Sequence, residues 1–424
     1  MKKLTPYNKY QPVEYDYISE VPEGWQLLPN IAVFEERIER GFVDEELLSV
    51  TIGRGVIRQT DVDIKKDSSN EDKSKYKLIK VGDIAYNRMR MWQGALGYSD
   101  YRGITSPAYV ILKPKMKINQ RFFHYMFRAR FYTNYSKRFS YGIVDDQLSL
   151  RYVDFKRMYS IIPPLDSQND IVAYLDLKTK KTREFIQKKE NLIELLEEEK
   201  KTFISNAVKN DGITTPKDWR LTKLKYVITK LGDGLHSTPE YVDSSDYYFI
   251  NGNNLVDGDI VITDSTRCIS EPVFKKHKKE LSDRTVLYSI NGTIGNIAFY
   301  NEEKVALGKS AAYINCGKHL SPKFLFYVLQ SKIVKDFYGQ EVTGTTIFNL
   351  GLQSLKNTPI AISSLEEQNT VVLFIETGLK KLDEAISKAK LEIEKAKEYK
   401  ESLITQLVTG QLKVPTLTAE KVLN

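Results

Sequence analysis

The amino-acid sequence predicts an α+β fold: two duplicated α/β domains separated by two long antiparallel coiled-coil helices in a pseudo-twofold arrangement. Three observations predict it. One stretch of text is written twice at a constant shift of 200 residues. Each copy runs into a helix with apolar residues seven apart. The remaining sequence divides into two blocks with the same order of strands, loops and helices.

The repeat is the strongest of the three, and internal self-similarity decides organisation before any other signal. "PPLDSQNDIVAYLD" begins at Pro163 and "SSLEEQNTVVLFIE" begins at Ser363. Leu165, Gln168, Asn169 and Val172 recur as Leu365, Gln368, Asn369 and Val372. Further on, Lys180, Glu184, Ile186, Ile193, Glu198, Ile204 and Val208 recur as Lys380, Glu384, Ile386, Ile393, Glu398, Ile404 and Val408. The shift holds without a gap, so both copies keep one helical register.

In the second copy Leu382, Ala389, Ala396 and Leu403 fall seven apart. Ile386, Ile393 and Leu407 take the complementary positions, with Lys400 interrupting. This is the a/d seam of a coiled coil with charged flanks. The first copy has a weaker seam, with Thr182, Lys189, Leu196 and Phe203 beside Ile186, Ile193, Lys200 and Ala207. Two matched amphipathic helices in one chain are most simply each other's partner, which favours an antiparallel two-helix rod. At about 35 residues each and 1.5 Å per residue, each helix is expected to span ~50 Å. Asn210-Asp211-Gly212 is the expected stop of the first helix and Gly410 that of the second.

Each block opens with a tryptophan phrase, "VPEGWQLLPN" at Trp25 and "TPKDWRLTKL" at Trp219. A strand and a Gly-marked loop follow, "VGDIAYNRMRMWQGALGYS" and "RTVLYSINGTIGNIAFY". Next comes a small-residue strand, "SPAYVIL" and "SAAYINC", then one aromatic-rich helix in each block. The expected domains are 1–160 and 211–360, with helices 161–210 and 361–412 and a tail at 413–424.

The totals narrow the function. The net charge is +8 with pI about 9.0, and mean hydropathy is -0.39. No apolar run reaches the ~18 residues of a membrane span, and the first residues lack a signal-peptide core. A cytoplasmic protein without membrane contact is expected. Cys268 and Cys316 make neither a disulfide framework nor a metal pair.

The basic excess is concentrated. Residues 101–144 hold no Asp or Glu, and neither do residues 304–335, where Lys309 lies. The same acid-free stretch in both blocks, interleaved with Phe and Tyr, favours nucleic acid as partner. Phosphate contacts give affinity, whereas sequence is read by groups that reach base edges. The Gly-marked loops offer Arg88, Arg90 and Gln93 in the first block and Asn291, Thr293 and Asn296 in the second.

A search for catalysis finds little. "LGKS" at 307–310 lacks the first glycine of a phosphate loop, because position 303 is Glu303. The four histidines are scattered, with no metal spacing. There is no GxSxG elbow and no base-methyltransferase tetrapeptide. The chain reads as a binder with no catalytic residues, no metal and no cofactor of its own.

Together these residues resemble one family. The chain resembles the specificity subunit of type I restriction-modification systems over nearly its whole length. The resemblance rests on the two tryptophan openings, on the repeated segments leading into long helices, and on "NRMRMWQGALG" followed by "SPAYV". In the second block it rests also on "DGLHSTPEY", which begins at Asp233. It implies two target recognition domains, each reading one half of a split double-stranded DNA site, with the helices as spacer. It implies a subunit without activity that binds two modification subunits, which carry S-adenosylmethionine and methylate adenine, and two motor and nuclease restriction subunits. The resemblance adds His236, Ser237 and Thr238 as DNA contacts, Arg54 in the Gly53-Arg54-Gly55 loop of the first block, and Thr345 and Thr346. Unlike loops in the two blocks imply an asymmetric site. The alternatives are an orphan or methylation-only specificity subunit, a self-sufficient modifying enzyme, and a coiled-coil scaffold that reads no DNA.

Overall fold

The structure is a computed structural model that describes residues 4–15, 18–62, 72–208, 219–342 and 348–415. Two compact units divide the chain, Met1–Lys188 with Leu391–Asn424, and Lys189–Lys390. Each unit holds one of the two sequence blocks and half of each long helix.

The first unit is built on a four-stranded antiparallel sheet of β1 (Phe34–Glu36), β2 (Ile84–Asn87), β3 (Leu96–Tyr98) and β4 (Tyr109–Pro114), in the order β1-β4-β2-β3. Side chains alternate across a strand, and here both faces are buried. Ile84, Tyr86, Val110 and Leu112 meet a core with Phe122, Phe123, Met126 and Phe127. Ala85 and Ile111 point the other way, onto Leu48, Val50, Val56 and Ile79. The aromatic run forms two helices, α1 (Gln120–Arg128) and α2 (Arg130–Phe139). The long helix α3 (Leu165–Val208) follows.

The second unit repeats this plan. Its sheet contains β5 (Ile228–Asp233), β6 (Thr285–Ser289), β7 (Ile297–Phe299) and β8 (Ala311–Cys316), in the order β5-β8-β6-β7. First, last, second, third is the strand order in both units. Val286, Tyr288, Ala312 and Ile314 face the helical core, whereas Leu287, Ala311 and Tyr313 face a second apolar layer. Helices α4 (Pro322–Gln330), α5 (Lys332–Glu341) and α6 (Leu365–Val408) complete it. A two-stranded antiparallel frame closes each block: Gln26–Pro29 with Tyr159–Ile162, and Arg220–Lys223 with Pro359–Ile362.

The units part company in the second layer. The first has a hairpin, Leu48–Thr51 with Gly55–Arg58, and an antiparallel pair, Lys77–Ile79 with Gly103–Thr105. The second has a mixed sheet in which Tyr248–Ile250 runs parallel to Val305–Leu307. Divergence therefore reaches whole strands, beyond the loops that the sequence marked.

Two expectations are corrected. The single aromatic helix of each block is two helices. Ala129 (φ -65°, ψ 142°) and Ser331 (φ -63°, ψ 150°) leave helical geometry at matching places. Neither is Gly or Pro, so no local signal marked the break; at Ser331 the backbone N–H (3.0 Å) and the hydroxyl (2.7 Å) both donate to the Val328 carbonyl. The long helices are also longer than expected. Each has 44 residues, or ~66 Å at 1.5 Å per residue, because the repeated text itself forms the first turns. The Asn210–Gly212 stop lies outside the described residues, and Gly410 takes positive φ (75°) just beyond α6.

The seam is visible in burial. From 181 to 202 every residue of α3 is exposed except Thr182, Ile186, Lys189, Ile193, Leu196 and Lys200. These are the a/d positions. In α6, Ile386, Ala389, Ile393, Leu403 and Leu407 are buried. Within the second unit the two helices run antiparallel: Lys200 Nζ bonds Asp383 Oδ1 at 2.6 Å, and Phe203 stacks on Phe374 at 5.1 Å. Within the first unit, Ile171, Val172 and Leu175 share a core with Leu403, Leu407 and Val408.

The repeated glutamine has one role in both units. Gln168 accepts the Asn119 backbone N–H (2.8 Å) and donates to the Pro163 carbonyl (2.8 Å). Gln368 accepts the Ser321 N–H (2.9 Å) and donates to His319 and Ser363 carbonyls (both 2.9 Å). Asn119 and Ser321 are the N-caps of α1 and α4. One side chain thus ties the start of each long helix to the start of the aromatic helix. Both glutamines are almost fully buried, so an apolar replacement strands donors and acceptors away from water. Gln368→Leu is expected to destabilise the second unit by about 2–3 kcal/mol in equilibrium denaturation, and Gln168→Leu, with one bond fewer to lose, by less.

Candidate nucleic-acid interface

In the first unit the loop after β2 presents a compact cationic face. Met91 is buried and pins the short turn Met91–Gln93. Arg90 lies at its start, exposed, and donates to Gln93 Oε1 at 3.0 Å. Lys137 Nζ sits 4.7 Å from the Trp92 ring centre, close enough for a cation–π contact. Arg88 is placed differently. Its backbone bridges Ala108 and Leu150, and its Nε is buried with no acceptor among the described residues. Arg90 is thus exposed and Gln93, half-buried, is tied to it, whereas Arg88 turns part of its guanidinium in.

The 52–54 turn, which carries Arg54, is brought beside this loop by two glycines. A Cβ on Gly97 would lie 2.8 Å from Gly55 Cα, so the hairpin touches β3 backbone to backbone. Arg128, at the end of α1, clamps the turn: it donates to Ile52 (2.6 Å), Gly53 (2.9 Å) and Leu96 (2.9 Å) carbonyls. Burial pushes its pKa down. In the sequence Arg128 is one cation within the acid-free stretch 101–144; its clamping role needs the fold. His124, beside it, accepts the Tyr98 N–H at 3.2 Å. Burial, then Arg128 and Arg121, lower its pKa to about 3, so it stays neutral. The turn and loop open onto a cleft of about 740 Å³ that also holds Arg130, Arg183 and Lys400.

In the second unit the candidate residues gather at one edge of the sheet. Asp233 pairs with Ala312 and Ser289 with Ala311. The ends of β5 and β6 and the start of β8 thus emerge together. His236, Ser237 and Thr238 are exposed, with His236 Nε2 2.7 Å from Asp233 Oδ2. A bridge between Leu235 and Gly308 sets Lys309 next to this loop. Thr293 is exposed at the tip of the β6–β7 loop, and Asn291 donates to Asn349 at 3.2 Å. Asn296 is a brace: its N–H donates to Ser289 Oγ (2.8 Å) and its amide to the Gly252 carbonyl (3.0 Å). Thr345 and Thr346 lie outside the described residues.

The two edges differ in chemistry. The first offers guanidinium groups and one amide, the second mainly hydroxyls, amides, an imidazole and one ammonium. Among the described residues no group of three His, Cys, Asp or Glu is placed to hold a metal ion. Gly234 holds the second edge in place, since a Cβ there would lie 2.0 Å from the Leu307 carbonyl oxygen. Gly234→Ala is expected to displace the 235–238 loop and to destabilise the second unit by about 2–3 kcal/mol, as measured by denaturant unfolding.

Residues 216–395 match the family described as type I restriction modification DNA specificity domain. The putative type I restriction enzyme MjaX specificity subunit of Methanocaldococcus jannaschii is 24% identical, covering 97% of this chain and 99% of that protein. The EcoBI specificity subunit of Escherichia coli is 24% identical over 51% of this chain and 47% of its own. Among solved structures, a chain from work on assembly and conformational transition of the type I R-M system has a TM-score of 0.73 at 17% identity. It covers 92% of this chain and 99% of its own. The HsdS subunit from Thermoanaerobacter tengcongensis has a TM-score of 0.57 at 17% identity, covering 92% and 98%. Residues 216–395 are thus similar to the type I restriction modification DNA specificity domain, and over nearly its whole length the chain resembles specificity subunits of type I restriction enzymes.

Proposed function

We propose that this chain is the non-catalytic, DNA-reading subunit of a type I restriction-modification complex, with each unit reading one half of an asymmetric, bipartite duplex site. It docks two modification subunits, which supply S-adenosylmethionine and the adenine methyl transfer, and it works with motor and nuclease restriction subunits in the cytoplasm. The observation that carries this reading is one sheet plan used twice with unlike edges. A repeated framework suits a repeated task, and unlike edges suit two different base sequences. In the first unit, the exposed Arg90 and Arg54 and the half-buried Gln93 are the candidates for base edges, and Arg88 supports the loop that carries them. In the second, His236, Ser237, Thr238, Asn291, Thr293 and Lys309 play that part, with Asn296 bracing them; Thr345 and Thr346 complete the set proposed from the sequence. The helices act as spacer, so their length sets the number of unread base pairs.

The test is expression with the neighbouring modification subunit in a methylation-free host, followed by mapping of adenine methylation across the genome. One split, asymmetric motif is expected; a palindromic motif, or failure of the two proteins to co-purify, would overturn the proposal. Arg90→Ala is expected to relax the first half-site alone, with a loss of about 1–3 kcal/mol of discrimination there. Four residues added within 182–203 are expected to change the unread gap and leave both half-sites as they were.

A further inference from the structure

The cleft of the first unit holds a charge arrangement that the second unit lacks. Positions 200 residues apart are equivalent, so Lys200 corresponds to Lys400 and Asp383 to Arg183. In the second unit Lys200 makes an ion pair with Asp383 at 2.6 Å. In the first unit the same seam lysine, Lys400, faces Arg183 and Arg128 instead. Burial, then these two cations, push the Lys400 pKa down. Glu401 is the one carboxylate among the lining residues, and neither Arg183 nor Lys400 makes an ion pair with it. Where the second unit has an ion pair, the first therefore has a cation cluster at the wall of a cavity. Like charges gathered at a partly buried wall repel each other, and a bound anion relieves them. The cavity, about 740 Å³, lies within the range of small-ligand sites, and Trp92 stands on its wall with Arg54.

We propose that this cleft is a phosphate-binding site, in which Arg183, Lys400 and Arg128 hold a phosphate of the duplex backbone or of a free polyphosphate. The backbone source deepens the DNA-reading proposal and rests on it: the site would anchor the strand next to the 52–54 and 88–95 loops. The free source stands without it.

The variants are Arg183→Asp, which copies the ion pair of the second unit, and Lys400→Gln, which removes the seam charge. Both remove repulsion, so the melting temperature is expected to hold or rise. Two measurements use the full chain, the first alone and the second with its modification partner. The first is calorimetric titration with inorganic tripolyphosphate. Binding by the parent chain that both variants lose assigns a free-phosphate site. The second is duplex affinity between 50 and 200 mM salt. Each lost backbone contact is expected to lower the slope of log affinity against log salt by about 0.9, and the two variants to weaken binding about tenfold at low salt. That result without tripolyphosphate binding assigns a backbone site. Tripolyphosphate binding and duplex binding both unaltered by the variants overturn the proposal. Failure of the parent complex to bind any specific duplex would sink the DNA-reading proposal instead, and the titration alone would then decide this one.

Discussion

A helix start leaves four backbone N–H groups without partners, and a helix buried at its start must find them elsewhere. This constraint governs both units. Gln168 and Gln368 answer it for a neighbour: each gives its amide oxygen to the N-cap of the aromatic helix and its amide nitrogen to the chain entering the long helix. The direction of the long helix and the seat of the aromatic helix are thereby coupled. The aromatic helix in turn covers the sheet, and the sheet edge carries the exposed loops. Removing the amide would loosen each of these in succession. It is also why the glutamine is repeated: its partners are backbone groups, present whatever side chains the loops have acquired.

Much of this was legible from residues alone. The shift of 200 exposed the duplication, and the heptad positions matched the buried side of α3 residue by residue. The strand pair on either side of each Gly-marked loop was also readable, since small and β-branched residues flank glycines there. Other features had no local signature. Ala129 and Ser331 break helices without Gly or Pro, because the turn between α1 and α2, or α4 and α5, is imposed by packing on the sheet. Arg128 read as one more cation in an acid-free run; only the meeting of hairpin and β3 supplies its three carbonyl acceptors. Arg88 and Asn296 have the composition of base-reading side chains, yet the fold turns one partly inward and commits the other to Gly252. Side-chain direction within a loop depends on contacts distant in sequence, which a single sequence does not display.

The two units also show how duplicated domains can diverge around one framework. Each sheet is buried on both faces. The face toward the helices keeps the same kind of residue at the same place, Tyr86 and Tyr288 among them. The opposite face meets a hairpin in one unit and a partly parallel sheet in the other. The framework and the variable layer are thus separated by the thickness of one sheet. Changes in the outer layer leave the helical core, the glutamine ties and the closing strand pair untouched.

The tail that follows α6 has a temporal consequence. Lys413 donates to the Thr5 carbonyl at 2.7 Å, Tyr10 donates to the Gly410 carbonyl at 3.1 Å, and Gly410 lies against Trp25. The first unit is thus assembled from both ends of the chain, whereas the second is one unbroken segment. On the ribosome, where domains fold as they emerge, the half made second has all its residues first. The half made first must wait, with Ile171, Val172 and Leu175 uncovered, until Leu403, Leu407 and Val408 have been translated. That interval spans the synthesis of the entire second unit.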